Sequence, residues 1–388
     1  MTRNFSIVLV VALVTGCAAA QKPAVQPIRI GVPASLSGGQ SALDIPQVKG
    51  MRLAVKEINA AGGIGGRPIE LLERDTRYEA PTTAAVCKEL ASTGGVAAIA
   101  GFSDTGSALT CGPIVQKAGL PFLTPGATSP KLPAQIGGGT YLACFGDNAQ
   151  AAAGAKFGAQ NFGKSAYVLY DSGNEYTRLL AGYFKKSFTA AGGSIVLEDT
   201  FKGKDASFDT QISKLRALPK QPDFYYIASM PYNAGQIVKE LRAAGFPGPV
   251  MGGDGFDTPV LTRMAGTSSE NVFFTTHVLL DPQSLSNAIV KFVTAYKAEY
   301  GTFPENAFAA LGYDTIYLIA DAIKRAGTAD PAAVLKAIQE TPEFPGITGT
   351  ISYPGGSHVP RKSVTVVSIK NGVFTLGAIM VPDNVPEP

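Results

Sequence analysis

Charge is scarce in this chain: 16% of its 388 residues are Asp, Glu, Lys or Arg, and 33 basic against 30 acidic side chains leave a formal net charge of +3. There is no long run of one sign and no basic stripe interleaved with aromatics, which argues against a nucleic-acid partner. Histidine is scarcer still, with only His277 and His358. Without a Cys-x-x-Cys pair as well, no zinc site is expected. Gly-x-Ser-x-Gly and paired-histidine motifs are missing too, so the chain is expected to be no enzyme and to carry no cofactor. Two glycine clusters fail on context. Gly62-Gly63-Ile64-Gly65-Gly66 follows a helical pattern and precedes a strand, the reverse of a dinucleotide fingerprint, and is read as a turn. Gly101 and Gly106 have phosphate-loop spacing, but Ser107 stands where the lysine belongs.

What is present begins with a leader. Residues 1–20 read as an export signal, with Arg3 before an apolar stretch too short to span a bilayer. Val14-Thr15-Gly16-Cys17 resembles a bacterial lipobox and implies lipidation of Cys17, whereas Ala18-Ala19-Ala20 suits ordinary cleavage before Gln21. Both predict a periplasmic protein, lipid-anchored in the first case. No later run reaches transmembrane length.

The remainder alternates strand and helix patterns, which demands parallel sheets covered on both faces. Strands are predicted near residues 28–32, 69–73, 96–101 and 120–124, with helical spacing at 48–61, 81–92 and 108–118. A second cycle of the same kind runs from 149 to 253, and two long helices and a third, shorter one follow between 285 and 340. Asn371-Gly372 reads as a hairpin turn between two C-terminal strands. Two consecutive strands end in small, hydroxyl-rich loops, Phe102-Ser103-Asp104-Thr105-Gly106 and Pro125-Gly126-Ala127-Thr128-Ser129-Pro130. In a parallel sheet those ends lie side by side, where ligands bind. Ser129-Pro130 also reads as a helix start. Polar loops close the second-cycle strands as well, at 171–176, 230–233 and 254–257. A cleft between two doubly wound lobes is the expected site.

Cys87, Cys111 and Cys144 face an oxidising compartment as an odd set. Cys87 and Cys111 lie at equal depth in helices that are neighbours in a 2-1-3-4 strand order, so a bridge between them is one reading. Closing a loop of about two dozen residues stabilises by roughly 3 kcal/mol. Cys111 with Cys144 is the rival pairing.

Five motifs resemble the type I periplasmic binding proteins of the leucine/isoleucine/valine-binding branch, the substrate-binding components of ABC importers. They are Ile-Gly-Val-Pro-Ala-Ser-Leu-Ser-Gly at 30–38, Glu-Ile-Asn-Ala-Ala-Gly-Gly-Ile at 57–64, Pro-Gly-Ala-Thr-Ser-Pro at 125–130, Met-Gly-Gly-Asp-Gly at 251–255 and Gly-Tyr-Asp-Thr-Ile-Tyr-Leu-Ile-Ala-Asp-Ala-Ile at 312–323. The resemblance implies two lobes joined by three crossing strands, near 146–147, 277–279 and 354–357. Residues 26–146 and 278–355 would form the first lobe, 147–277 and 356–388 the second. It further implies a small-molecule ligand, an amino acid or a relative of one, and an importer permease as partner. A sensor reporting a closed cleft to a membrane receptor is the alternative reading.

Residue by residue, the resemblance implies that Thr105 and Thr128 hold a ligand carboxylate and that the Gly126 carbonyl and the Asp254 carboxylate take its ammonium. Tyr176 matches a cleft tyrosine. Met230 stands where branched-chain binders have a second tyrosine, and Leu43 roughly where another aromatic is common. Phe102, Ser103 and Asp104 complete the candidate site, Asp104 adding a charge. Read without the resemblance, Thr105 is a helix cap and Asp254 a turn residue.

Overall fold

The computed structural model describes residues 1–2 and 25–388, so the export signal and the lipobox at Cys17 lie outside the described residues. The first sheet contains β1 (Ile28–Ala34), β2 (Ile69–Asp75), β3 (Val96–Ala100), β4 (Phe122–Thr124) and β5 (Thr140–Leu142), in the order β2-β1-β3-β4-β5. All four pairings are parallel. β3 is buried at every residue, which is why it reads as an unbroken apolar run. Ile30, Val32, Ala98 and Ala100 pack on one face, and Ile99 on the other with Cys87, Leu90 and Cys111. Cys87 and Cys111 form a disulfide there, and Cys144 is buried and free.

The second sheet holds β6 (Ser165–Asp171), β7 (Ser194–Phe201), β8 (Phe224–Ala228), β9 (Val250–Gly252) and β10 (Val272–Thr276). After a small hairpin of β11 (Phe344–Gly346) and β12 (Gly349–Ile351), the chain returns to this sheet as β13 (Val364–Lys370) and β14 (Val373–Met380). The order is β14-β13-β10-β9-β8-β6-β7, with β13 antiparallel to both neighbours. Asn371 and Gly372 both have positive φ, 52° and 72°, the backbone that a two-residue hairpin requires.

The late helix Phe308–Ala326 belongs to the first lobe. It crosses the early helix Ser41–Ala60 so closely that a Cβ on Gly50 would stand 1.8 Å from the Ala309 carbonyl oxygen, and one on Gly312 2.0 Å from that of Gln47. Only glycine at both positions allows that contact.

Three segments cross between the lobes, and the first and third are stitched together. The Leu142 N–H donates to the His358 carbonyl (3.0 Å) and the Tyr353 hydroxyl to the Leu142 carbonyl (2.8 Å). Lys362, buried, donates to the Ala143 carbonyl and to the Thr348 hydroxyl, which itself donates to Asp314. Burial pulls the Lys362 ammonium down to about 8, against the pull of Asp314.

Candidate ligand-binding cleft

β3 and β4 pair from Ile99–Phe122 onward, which sets the two loops beyond them side by side. Phe102 opens the first loop with φ of +75°, a conformation that costs a non-glycine residue on the order of 1–3 kcal/mol. That twist turns its ring into the core, edge-on to Phe122, and leaves its carbonyl to accept from the Gly126 N–H (3.2 Å) and the Thr124 hydroxyl (3.2 Å). Phe102, one of the candidate site residues, thus has its ring in the core, and its backbone joins the two loops. Leu43, another candidate site residue, lies in the same core cluster as Phe102 and Phe122.

Ser103 is committed to a buried acid. Asp44 accepts from the Ser103 N–H (3.0 Å), the Ser103 hydroxyl and the Ser35 N–H (2.6 Å), and burial raises it to about 6 despite those bonds. Asp104 caps the helix Thr105–Lys117, accepting from the Ser107 N–H at 2.9 Å, so the cap is Asp104 and not Thr105. The Thr105 hydroxyl, buried, has no hydrogen-bond partner among the described residues. In the second loop Ser129 does not cap a helix. The short helix Leu132–Ile136 starts later, behind Lys131. Thr128 is buried, and its carbonyl accepts from the Asp147 N–H at 2.7 Å.

Across the cleft, Asp254 follows β9 and is 2% exposed, and its carboxylate turns away from its own backbone turn. One oxygen accepts from the Tyr176 hydroxyl (2.8 Å) and the Gln150 amide (2.9 Å), the other meets His277 Nε2 at 3.2 Å. Burial holds His277 below its ordinary value and hence neutral, so its proton sits on Nε2, facing the carboxylate, and Nδ1 is left without a partner. The ring is clamped against Phe145, 3.9 Å between centroids. Gly255 donates to the Tyr176 hydroxyl (3.1 Å), and a Cβ there would meet the Ser229 carbonyl at 2.4 Å, so the Gly-Asp-Gly motif serves packing as well as turning. Gln150 also donates to Asp147 (2.9 Å) and accepts from Thr275 (2.8 Å) and the Asp254 N–H (3.2 Å). Asp147, fully buried, is pushed up to about 8, first by burial and then by Asp254. Met230 packs with Tyr176 in the second lobe's core, 1% exposed.

The lobes touch across the cleft. Asn174, which caps the helix Glu175–Ala190, reaches Tyr78 at 3.4 Å and Asp104 at 3.5 Å. A cavity of about 310 Å³ opens beside that contact, lined by Tyr78, Asp104, Ser107, Asn174 and Arg178 among others. A larger cavity, about 1250 Å³, is elsewhere, between Pro130–Gly138, the crossings and the C-terminal tail, and includes none of the expected ligand residues. Gln150, Asp147 and His277 were not among those expected residues. An Asp-x-x-Gln pair opening the helix just past a lobe crossing was the available signal. Asp147, Asp254 and His277 are metal-type side chains, but the Gln150 amide sits between the two acids, and no group among the described residues is spaced to hold a metal ion.

A model of the periplasmic binding protein family matches residues 27–373. The chain belongs to that family. This periplasmic binding protein is 28% identical over 328 residues to a Leu/Ile/Val-binding protein homolog of Brucella melitensis, covering 84% of this chain and 87% of the relative. Among solved structures, a leucine-binding protein from Thermotoga maritima is 31% identical with a TM-score of 0.85, covering 92% of this chain and 99% of its own. A branched-chain amino acid transporter substrate-binding protein from Streptococcus pneumoniae, in complex with isoleucine, is 29% identical with a TM-score of 0.83, covering 92% and 99%. No helix among the described residues of this binding protein is long and apolar enough to cross a membrane.

Proposed function

We propose that this periplasmic binding protein captures an amino acid, or a molecule with the same zwitterionic head, between its lobes and delivers it to the permease of an ABC importer. The observation that carries this reading is Asp254, a buried carboxylate placed by the second lobe close to the first lobe's ligand loops. The path is short: Asp254 and Asp147 share Gln150, and the Asp147 N–H donates to the Thr128 carbonyl. Asp254 would take the ammonium, with the Gly126 carbonyl. Thr105, whose hydroxyl lacks a partner, and Thr128 would take the carboxylate. Tyr176 orients the acid, and Met230 lies beside Tyr176 near the side-chain end.

The leucine- and isoleucine-binding neighbours support an aliphatic amino acid as the first ligand to try. Residues 26–146 with 278–355 would close on 147–277 with 356–388 as the ligand seats. Cys17, if lipidated, would tether the protein to the membrane. A thermal-shift screen of the twenty amino acids followed by calorimetry tests the reading. A raised Tm and a measurable Kd for at least one of them is expected. No response to any amino acid, with binding of a ligand that lacks an amino group, would overturn it.

A further inference from the structure

Asp147 and Asp254 share the two hydrogens of one amide: the Gln150 nitrogen lies 2.9 Å from Asp147 Oδ1 and 2.9 Å from Asp254 Oδ1. Both acids are buried; the Thr128 side chain approaches Asp147, but among the described residues Asp147 Oδ2 has no hydrogen bond of good geometry. Two carboxylates this close, out of water, cannot both stay ionised without a cation. None of the titratable groups around Asp147 supplies that cation. Tyr176 and Tyr183 from the helix Glu175–Ala190, Tyr226 from β8 and Cys144 at the first crossing are all shifted upward by burial, and so are neutral. His277, at the end of β10, is neutral too. Lys362, beyond Cys144, spends its hydrogens on Ala143 and Thr348. Among the described residues no cation is bonded to either acid.

The missing charge therefore comes with the ligand. Given the reading of Asp254 as the ammonium partner, on which this rests, we propose that Asp147 is the second acid of the cation site: it holds a proton in the empty cleft and loses it to solvent when the ligand ammonium arrives, so that each ligand bound releases one proton. The balance is simple. The carboxyl O–H of Asp147 breaks, the proton goes to buffer, and the incoming ammonium replaces its positive charge, leaving the total at the buried pair unchanged. Asp147 is then a specificity device as well. A neutral ligand of the same shape cannot drive the ionisation, and meets only the protonated acid. The rise of Asp147 to about 8 agrees with a proton held at neutral pH.

Calorimetry of L-leucine binding at about pH 7, in buffers of different ionisation heat, tests this directly. The observed heat should vary with buffer by about one proton released per L-leucine, and affinity should rise up to about tenfold from pH 6 to pH 7. Asp147→Asn, which keeps the shape and one oxygen, should bind more weakly, with no buffer dependence and a flat pH profile. Binding heat that is the same in all buffers for the unmodified protein overturns the proposal and leaves the ammonium site standing. A proton still released by Asp147→Asn overturns it as well, by assigning the proton elsewhere. If neither L-leucine nor any other amino acid gives heat, the reading of the ammonium site fails and this proposal with it. The unmodified protein alone decides the main outcome, so a variant that fails to fold does not rescue the idea.

Discussion

On the second lobe Asp254 has three side-chain donors from three separate elements before any ligand arrives, whereas on the first lobe the buried Thr105 hydroxyl has none. The difference follows from charge. A buried carboxylate must be hydrogen-bonded to be tolerated at all, while an unpartnered hydroxyl costs only on the order of 1–3 kcal/mol, which a ligand oxygen can recover. The Asp254 carboxylate is thus built into the fold's own polar core, whereas the Thr105 hydroxyl is buried without a hydrogen-bond partner among the described residues. Mutations on the two sides should separate accordingly.

The largest effect is expected on the saturated side. Asp254→Ala removes the proposed ammonium partner and should weaken amino-acid binding by roughly 2–5 kcal/mol, on the order of thirty-fold to several thousand-fold. It also leaves Gln150, Tyr176 and His277 with donors facing nothing, so thermal unfolding of the ligand-free variant should move down as well. Calorimetry with an unchanged Kd would show Asp254 to be a turn residue and nothing more.

Next comes the first lobe's own buried acid. Asp44 stands at about 6 in the folded protein, above its ordinary value of 3.8, so the folded state binds that proton more tightly than the unfolded one. Its contribution is therefore fully present below about pH 4 and is lost as pH rises through 6, on the order of 3 kcal/mol at most. Denaturant unfolding of the ligand-free protein at stepped pH should show that decline, and Asp44→Asn should make it shallower by the Asp44 share, leaving the part owed to Asp147. An identical slope in the variant would break the assignment.

Smaller again is the open side itself. Thr128→Ala and Thr105→Ala each remove one hydroxyl offered to a charged group and should cost about 1.5–3 kcal/mol of binding. For Thr105, whose hydroxyl bonds to nothing among the described residues, unfolding should barely change, and this sharpens the contrast with Asp254. A stability loss at Thr105→Ala equal to the binding loss would erase it.

The smallest effect belongs to the contact between the sides. Asn174 reaches Tyr78 and Asp104 only at 3.4 and 3.5 Å, marginal lengths. Asn174→Ser, which keeps an N-cap oxygen, should shift affinity by less than about 1 kcal/mol. A tenfold change would mean that this bridge controls closure.

Residues close in sequence carried their own signals. The apolar runs of β1 and β3 and the Asn371-Gly372 turn were legible because strand burial and positive φ are decided within a few residues. So were the hydroxyl loops at 102–106 and 125–130 and the Gly-Asp-Gly turn at Asp254, through local turn chemistry and the family's motifs. The partners of those residues were not legible. Gln150 and His277 reach Asp254 across 104 and 23 positions, and the Gly50–Gly312 crossing joins two helices 262 positions apart. The positive φ of Phe102, which turns its ring toward Phe122, was not legible either. Local chemistry determined which loops could bind. Only the packing of the crossings decided which buried groups share hydrogen bonds there, because desolvation and hydrogen-bond sharing depend on distance in space and leave no mark on spacing along the chain.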